Sequence, residues 1–231
     1  MIPNTKLYNI LKPLTKQEIL RMSRTMCEHG HPLLSHPNCL ERSVGYKEKV
    51  GYLDIETSNF SASFGVVVTW AIKEDGGEIY SGFLKEEDFA RGDGNYDKRL
   101  LEECVEVMRK FDRLVVYWGK NRRFDIPFLR TRAVSMGVDF PLYQENVISD
   151  AYDIVRNQFK FGRNSLYAAC TQLGIASKDT PLSPQTWMDA TIGRNKKAMQ
   201  LILSHNKEDV ISTEALWHYI NPFANIPKTS I

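Results

Sequence analysis

The order of its apolar segments constrains this chain most: three candidate strands in close succession, then a regular alternation of strand and helix. Val50-Gly51-Tyr52-Leu53-Asp54-Ile55 reads as a strand, Phe64 to Ile72 as a second and Glu78 to Phe83 as a third. Glu74-Asp75-Gly76-Gly77 has the turn chemistry to join the last two as a hairpin. Residues 97–111 repeat apolar side chains at helical spacing through Leu100, Leu101, Val105, Met108 and Phe111. Leu114-Val115-Val116-Tyr117-Trp118 is short and continuous, as a strand buried on both faces is. A helix follows over about 123–136, with Pro127 admitted in its first turn and Gly137 closing it. A short strand at Val147-Ile148 precedes helices over 151–158, 165–173, 184–191 and about 194–220. Hairpin-linked strands pair antiparallel and strands joined through helices pair parallel. The expected fold is therefore α/β, a mixed sheet flanked by helices. No Gly-x-Gly-x-x-Gly or phosphate-loop pattern occurs, which excludes a doubly wound nucleotide-binding fold.

With 42% hydrophobic and 25% charged residues in 231, the chain is neither disordered nor collagen-like. Its longest apolar run, Gly65 to Ile72, falls far short of the roughly 20 residues of a membrane helix. Met1-Ile2-Pro3-Asn4-Thr5-Lys6 lacks a secretory pattern, so a cytoplasmic protein without a membrane partner is expected. Thirty basic against 28 acidic residues leave nucleic acid open as a partner, because a local patch matters more than the total. The basic runs Lys160-Phe161-Gly162-Arg163 and Arg194-Asn195-Lys196-Lys197 read first as solvated faces, and second as tracks for a strand.

Residues 1–45 stand apart from 46–231. Thr15-Lys16-Gln17-Glu18 is a capping-box pattern that opens a helix. Beyond it, Cys27-Glu28-His29-Gly30-His31 and His36-Pro37-Asn38-Cys39 offer the spacing of a structural Zn²⁺ site. Cys27, His31, His36 and Cys39 are the chosen ligands, with His29 as a substitute for His31; a loop with chance Cys and His is the equal alternative. Cys104 and Cys170 sit alone in helices and read as small buried apolar residues.

Asp54 and Glu56 lie two apart at the end of the first strand, so alternation sends both to one face. Asp125 sits at a helix start in Asn121-Arg122-Arg123-Phe124-Asp125, where it also suits the helix dipole. His205 and Asp209 are spaced i, i+4, on one face of the last helix. Asp150 ends a strand and is expected to cap the next helix. Phe60, Phe64 and Phe124 read as core, with base stacking as the alternative.

The segments Leu53-Asp54-Ile55-Glu56-Thr57, Asn121 to Leu129 and His205 to Asp209 resemble motifs I, II and III of the DEDD exonuclease superfamily. Within it the chain is most similar to a ribonuclease H-like group related to the exonuclease domains of family B DNA polymerases. The likeness covers about residues 48–220. It implies a ribonuclease H-like fold and 3′–5′ hydrolysis of phosphodiester bonds in single-stranded DNA or RNA by two Mg²⁺ or Mn²⁺ ions. Asp54, Glu56, Asp125 and Asp209 would then be metal ligands, His205 the base, and Asn121 and Arg122 contacts to the substrate. A replication or repair protein is a possible partner in trans. The third motif mixes two branches of the superfamily, having His205 where one branch has Tyr at the same spacing from Asp209. The alternatives are a non-catalytic nucleic-acid-binding module of the same fold and a zinc-dependent adaptor acting through residues 1–45.

Overall fold

The structure is a computed structural model. It describes residues 10–224 except 28, 29, 36, 91, 93, 121, 122, 143, 144 and 178–181, and except the side chains of 37 and 38. Helix α1 spans Lys16–Ser23 and has the expected capping box: Thr15 Oγ1 accepts from the Glu18 N–H, and Glu18 accepts from the Thr15 N–H. Helix α2 spans Pro37–Val44.

Strands β1 (Val50–Thr57), β2 (Val67–Glu74), β3 (Ile79–Phe83), β4 (Arg113–Val116) and β5 (Val147–Asp150) form one sheet in the order β3-β2-β1-β4-β5. The hairpin strands β1, β2 and β3 pair antiparallel, while β4 runs parallel to both β1 and β5. Helices α3 (Glu86–Phe89) and α4 (Lys98–Met108) lie between β3 and β4, and α5 (Asp125–Ser135) joins β4 to β5. Helices α6 (Ala151–Gln158), α7 (Leu166–Gln172), α8 (Pro184–Thr191) and α9 (Lys196–Ile220) follow. The mixed, helix-flanked sheet is the expected one.

Period-two alternation sorts the sheet residues into two cores. Leu53, Ile55, Trp70, Ile72, Leu114 and Val116 pack with α4 and α5 through Leu101, Val105 and Leu129. Tyr52, Ala71 and Val115 face the opposite way, against Val155 of α6, Cys170 of α7 and Val210 of α9. Asp54 and Glu56 share the parity of Tyr52. Helix α9 contributes to both cores, with Met199 and Ile202 in the first and Val210, Leu216 and Ile220 in the second. Crossing between layers in this way carries its middle turns past the end of β1.

Boundaries moved in one instructive place. The second strand starts at Val67, not Phe64, and Phe60 and Phe64 are exposed at 89% and 85%. The core reading of those two rings is therefore corrected. They lie in the 58–66 connection, where no sheet face is available to cover them. Phe124 is half-buried, while Cys104 and Cys170 are fully buried as expected.

Candidate active site

At the C-terminal ends of the parallel strands, β1 delivers Asp54 and Glu56, the β4–α5 connection delivers Asp125, and α9 delivers His205 and Asp209. His205 Nε2 lies 3.7 Å from Glu56 Oε1 and 3.5 Å from Asp209 Oδ2. The five residues assigned from the motifs thus converge, although β1 and α9 are about 150 residues apart in sequence. The i, i+4 spacing of His205 and Asp209 places both side chains beside Glu56.

Burial and neighbouring charge raise the proton affinity of these carboxylates. Burial, then the charges of Asp125, Asp209 and Glu56, raise the Asp54 carboxyl well above its ordinary range. Burial and Asp209 push Glu56 up to about 8. Asp125 rises through burial and the charges of Asp150, Glu56 and Asp209. Asp209 also rises, chiefly through burial, with His205 opposing. Asp125 is 4% exposed, and its Oδ2 has no hydrogen-bond partner.

Two residues that the sequence reading passed over set this geometry. Asn206 is fully buried; it donates to Asp54 Oδ2 at 2.5 Å and accepts from Thr69 Oγ1 at 3.0 Å. Its signal was Thr69, a polar residue within the apolar run Val67-Val68-Thr69-Trp70. Gly119 is the other, since a Cβ there would overlap Asp125 Oδ2 and crowd the Val116 side chain. Its neighbour Trp118 is held at φ 60, a conformation that is costly for a bulky residue.

Asp150 secures that connection. As expected it caps α6, accepting from the Tyr152 N–H at 3.0 Å. It also accepts from the N–H groups of Trp118 at 2.8 Å and Lys120 at 3.0 Å, and from Arg123 Nη1 at 2.5 Å. Arg123 further pairs with Asp153 and lies over the Tyr152 ring, so it braces the turn. Asn121 and Arg122, expected at the substrate, lie outside the described residues, as does His36 of the expected zinc set. Phe60 meets the Phe124 ring edge-on at 6.0 Å, close in sequence to Glu56.

The donor set suits divalent cations. Glu56, His205 and Asp209 present ligand atoms all within 4.8 Å of one another, and the buried Asp125 Oδ2 has no hydrogen-bond partner that a cation would have to displace. A second acid–His group, Asp75, Glu214 and His218, differs because its members are already engaged. Glu214 binds Lys73 at 3.1 Å and the Gly76 N–H at 2.7 Å, and Asp75 accepts from the Tyr52 hydroxyl at 2.7 Å.

The RNase_H superfamily matches residues 51–221 of this chain. The chain belongs to that superfamily. Among curated proteins none matches. Among solved structures, the family B DNA polymerase from the archaeon Pyrobaculum calidifontis superposes with a TM-score of 0.61 at 20% identity. That match covers 77% of this chain and 25% of the polymerase, so the chain spans about a quarter of its length. A product-bound exonuclease I matches at TM-score 0.47 and 14% identity, over 77% of this chain and 45% of that one. The superfamily match establishes the ribonuclease H-like fold, in agreement with the motif resemblance. Superfamily and site together indicate a nuclease-type function. Among the described residues, no helix is long and apolar enough to cross a membrane.

Proposed function

We propose that this protein is a metal-dependent 3′–5′ exonuclease acting on single-stranded nucleic acid. The observation that carries the reading is the convergence of Asp54, Glu56, Asp125 and Asp209 in one buried place, where burial first and neighbouring acid charge second raise all four carboxyls and an Asp125 oxygen has no donor. Such a cluster is unfavourable alone and favourable around hard cations, which carboxylate oxygens prefer. Two Mg²⁺ or Mn²⁺ ions, when bound, supply charge stabilisation at the attacking and leaving oxygens of the phosphodiester.

The four carboxylates would hold the ions, and Asn206 fixes the rotamer of Asp54 through its hydrogen bond. His205 faces Glu56 and Asp209 and takes the proton of the attacking water. Asn121 and Arg122, beside Asp125 in sequence, hold phosphate. Phe60 and Phe64 project into solvent and stack terminal bases. The 3′ to 5′ direction follows from the motif resemblance.

The test is a time course on 3′- and 5′-labelled single strands of DNA and RNA, with Mg²⁺, Mn²⁺ or EDTA, beside Asp54→Ala and Asp125→Ala. Nucleotides should be lost from the 3′ end only with metal, and not in either variant. Intact strands under every metal would sink the enzyme reading.

A further inference from the structure

We propose that residues 10–45 are organised around one structural Zn²⁺, held by the thiolates of Cys27 and Cys39 and by two imidazoles from the intervening histidines His29, His31 and His36. Cys27 and Cys39 are twelve residues apart, yet their side chains lie within hydrogen-bonding reach without a disulfide between them. Each belongs to a different local structure. Cys27 opens a tight turn in which its N–H donates to the His31 carbonyl at 2.8 Å and the Gly30 N–H donates to its own carbonyl at 2.9 Å. Gly30 takes φ 77 there, and Met26 bridges Pro32 across the turn. Cys39 lies on α2 and is 7% exposed. Arg42, one turn later, brings Nη2 to 3.5 Å from Cys39 Sγ.

The packing gives the ion a purpose. Among the described residues, Ile10, Met22, Leu33, Cys39 and Leu40 form the buried cluster of this region, with Cys27, Leu34 and Tyr46 against it. So few apolar groups rarely hold a unit this small without a staple, and a metal is one of the usual staples. Here the Cys39 sulfur belongs to the cluster and Cys27 packs against it. A set of two thiolates and two imidazoles selects zinc, with tetrahedral geometry, over the hard ions that suit carboxylates. His36 enters the set by its three-residue spacing from Cys39. The chain after α2 then runs to β1 through Tyr46, whose hydroxyl donates to Asp112 at 2.6 Å, and Glu48, which pairs with Arg113. A zinc-ordered α2 thereby fixes the entry to the first strand. None of this rests on the exonuclease reading.

Elemental analysis of full-length protein, produced with zinc supplied and dialysed against EDTA, should find one zinc per chain. Replacement by Co²⁺ should give a tetrahedral visible spectrum with a thiolate-to-metal charge-transfer band. Cys27→Ser, Cys39→Ser and His36→Ala should each lose the metal, and limited proteolysis of the stripped protein should cut within residues 10–45 first. Because a Cys variant can lose metal by unfolding, the cobalt spectrum of the unaltered chain decides independently. No zinc, iron in its place, a thiol titration showing a Cys27–Cys39 disulfide, or a cobalt spectrum without a thiolate band would each overturn the proposal. Full zinc retention in His36→Ala would overturn the ligand set.

Discussion

Asp97 and Asp125 are both almost completely buried, at 0% and 4% exposure, but they are treated in opposite ways. Asp97 accepts from Arg132 Nη2 at 2.6 Å, Arg132 Nε at 3.1 Å and the Val67 N–H at 2.9 Å. Asp125 faces three other carboxylates and has an oxygen with no donor. The remaining buried aspartates side with Asp97. Asp112 accepts from the Tyr46 hydroxyl and the Lys49 N–H, and Asp150 has four donors. Burial alone would raise the Asp88 carboxyl, but hydrogen bonds from Arg99 and the Lys85 N–H outweigh it and hold Asp88 below its ordinary range. A carboxylate that serves the fold comes with its own donors. One left among like charges lacks them, and that difference is what the proposed metal reading draws on.

The comparison is most exposed to paired substitutions. Asp97→Ala strands the partly buried Arg132 charge and leaves the Val67 N–H without its acceptor, and should cost about 3 kcal/mol, read as a lower urea midpoint. Asp125→Asn removes a repulsive charge and should leave the metal-free protein at least as stable, while reducing metal-dependent hydrolysis by about 10³-fold or more. Equal destabilisation by the two would erase the distinction. Next in size, Gly119→Ala should displace the Asp125 carboxylate and lower the hydrolysis rate by about 10²-fold. Retained activity there would show that Asp125 is not held against the turn.

Asn206→Ala leaves Asp54 without its donor and should weaken Mn²⁺ binding by about 10–100-fold in calorimetry. The smallest effect concerns pH. Asp54, Glu56, Asp125 and Asp209 all bind protons more tightly folded than unfolded, Glu56 with a value of about 8 against an ordinary 4.5. The native state therefore carries the extra protons, and stability without metal falls as pH rises from the ordinary carboxylate range to about 8. In EDTA the Tm should drop across that window by about 2–4 °C for each kcal/mol lost. Added Mn²⁺ should raise it more at the alkaline end. A flat or rising Tm in EDTA would contradict the raised carboxyls of the cluster.

Much of this was legible before any coordinates. Strand alternation alone put Asp54 and Glu56 on one face, and helical spacing put His205 beside Asp209, because both periodicities are local properties of the backbone. The exposed rings of Phe60 and Phe64 were misread, since an aromatic residue near a strand is indistinguishable in sequence from one within it. Asn206 and Gly119 were passed over for a different reason. Each acts through a residue distant in the chain or through the absence of a side chain, and neither leaves a spacing to detect.

The sequence by itself determined the element types, the hairpin-then-alternation order and the residue types able to hold metal. Those follow from periodicity, turn chemistry and side-chain charge. Only the tertiary structure decided that α9 crosses from one core to the other and brings its middle turns against Asp54 and Glu56. It alone also decided which buried acids receive donors. Pairing across the sheet depends on where non-local elements pack, and no local rule of the chain specifies that.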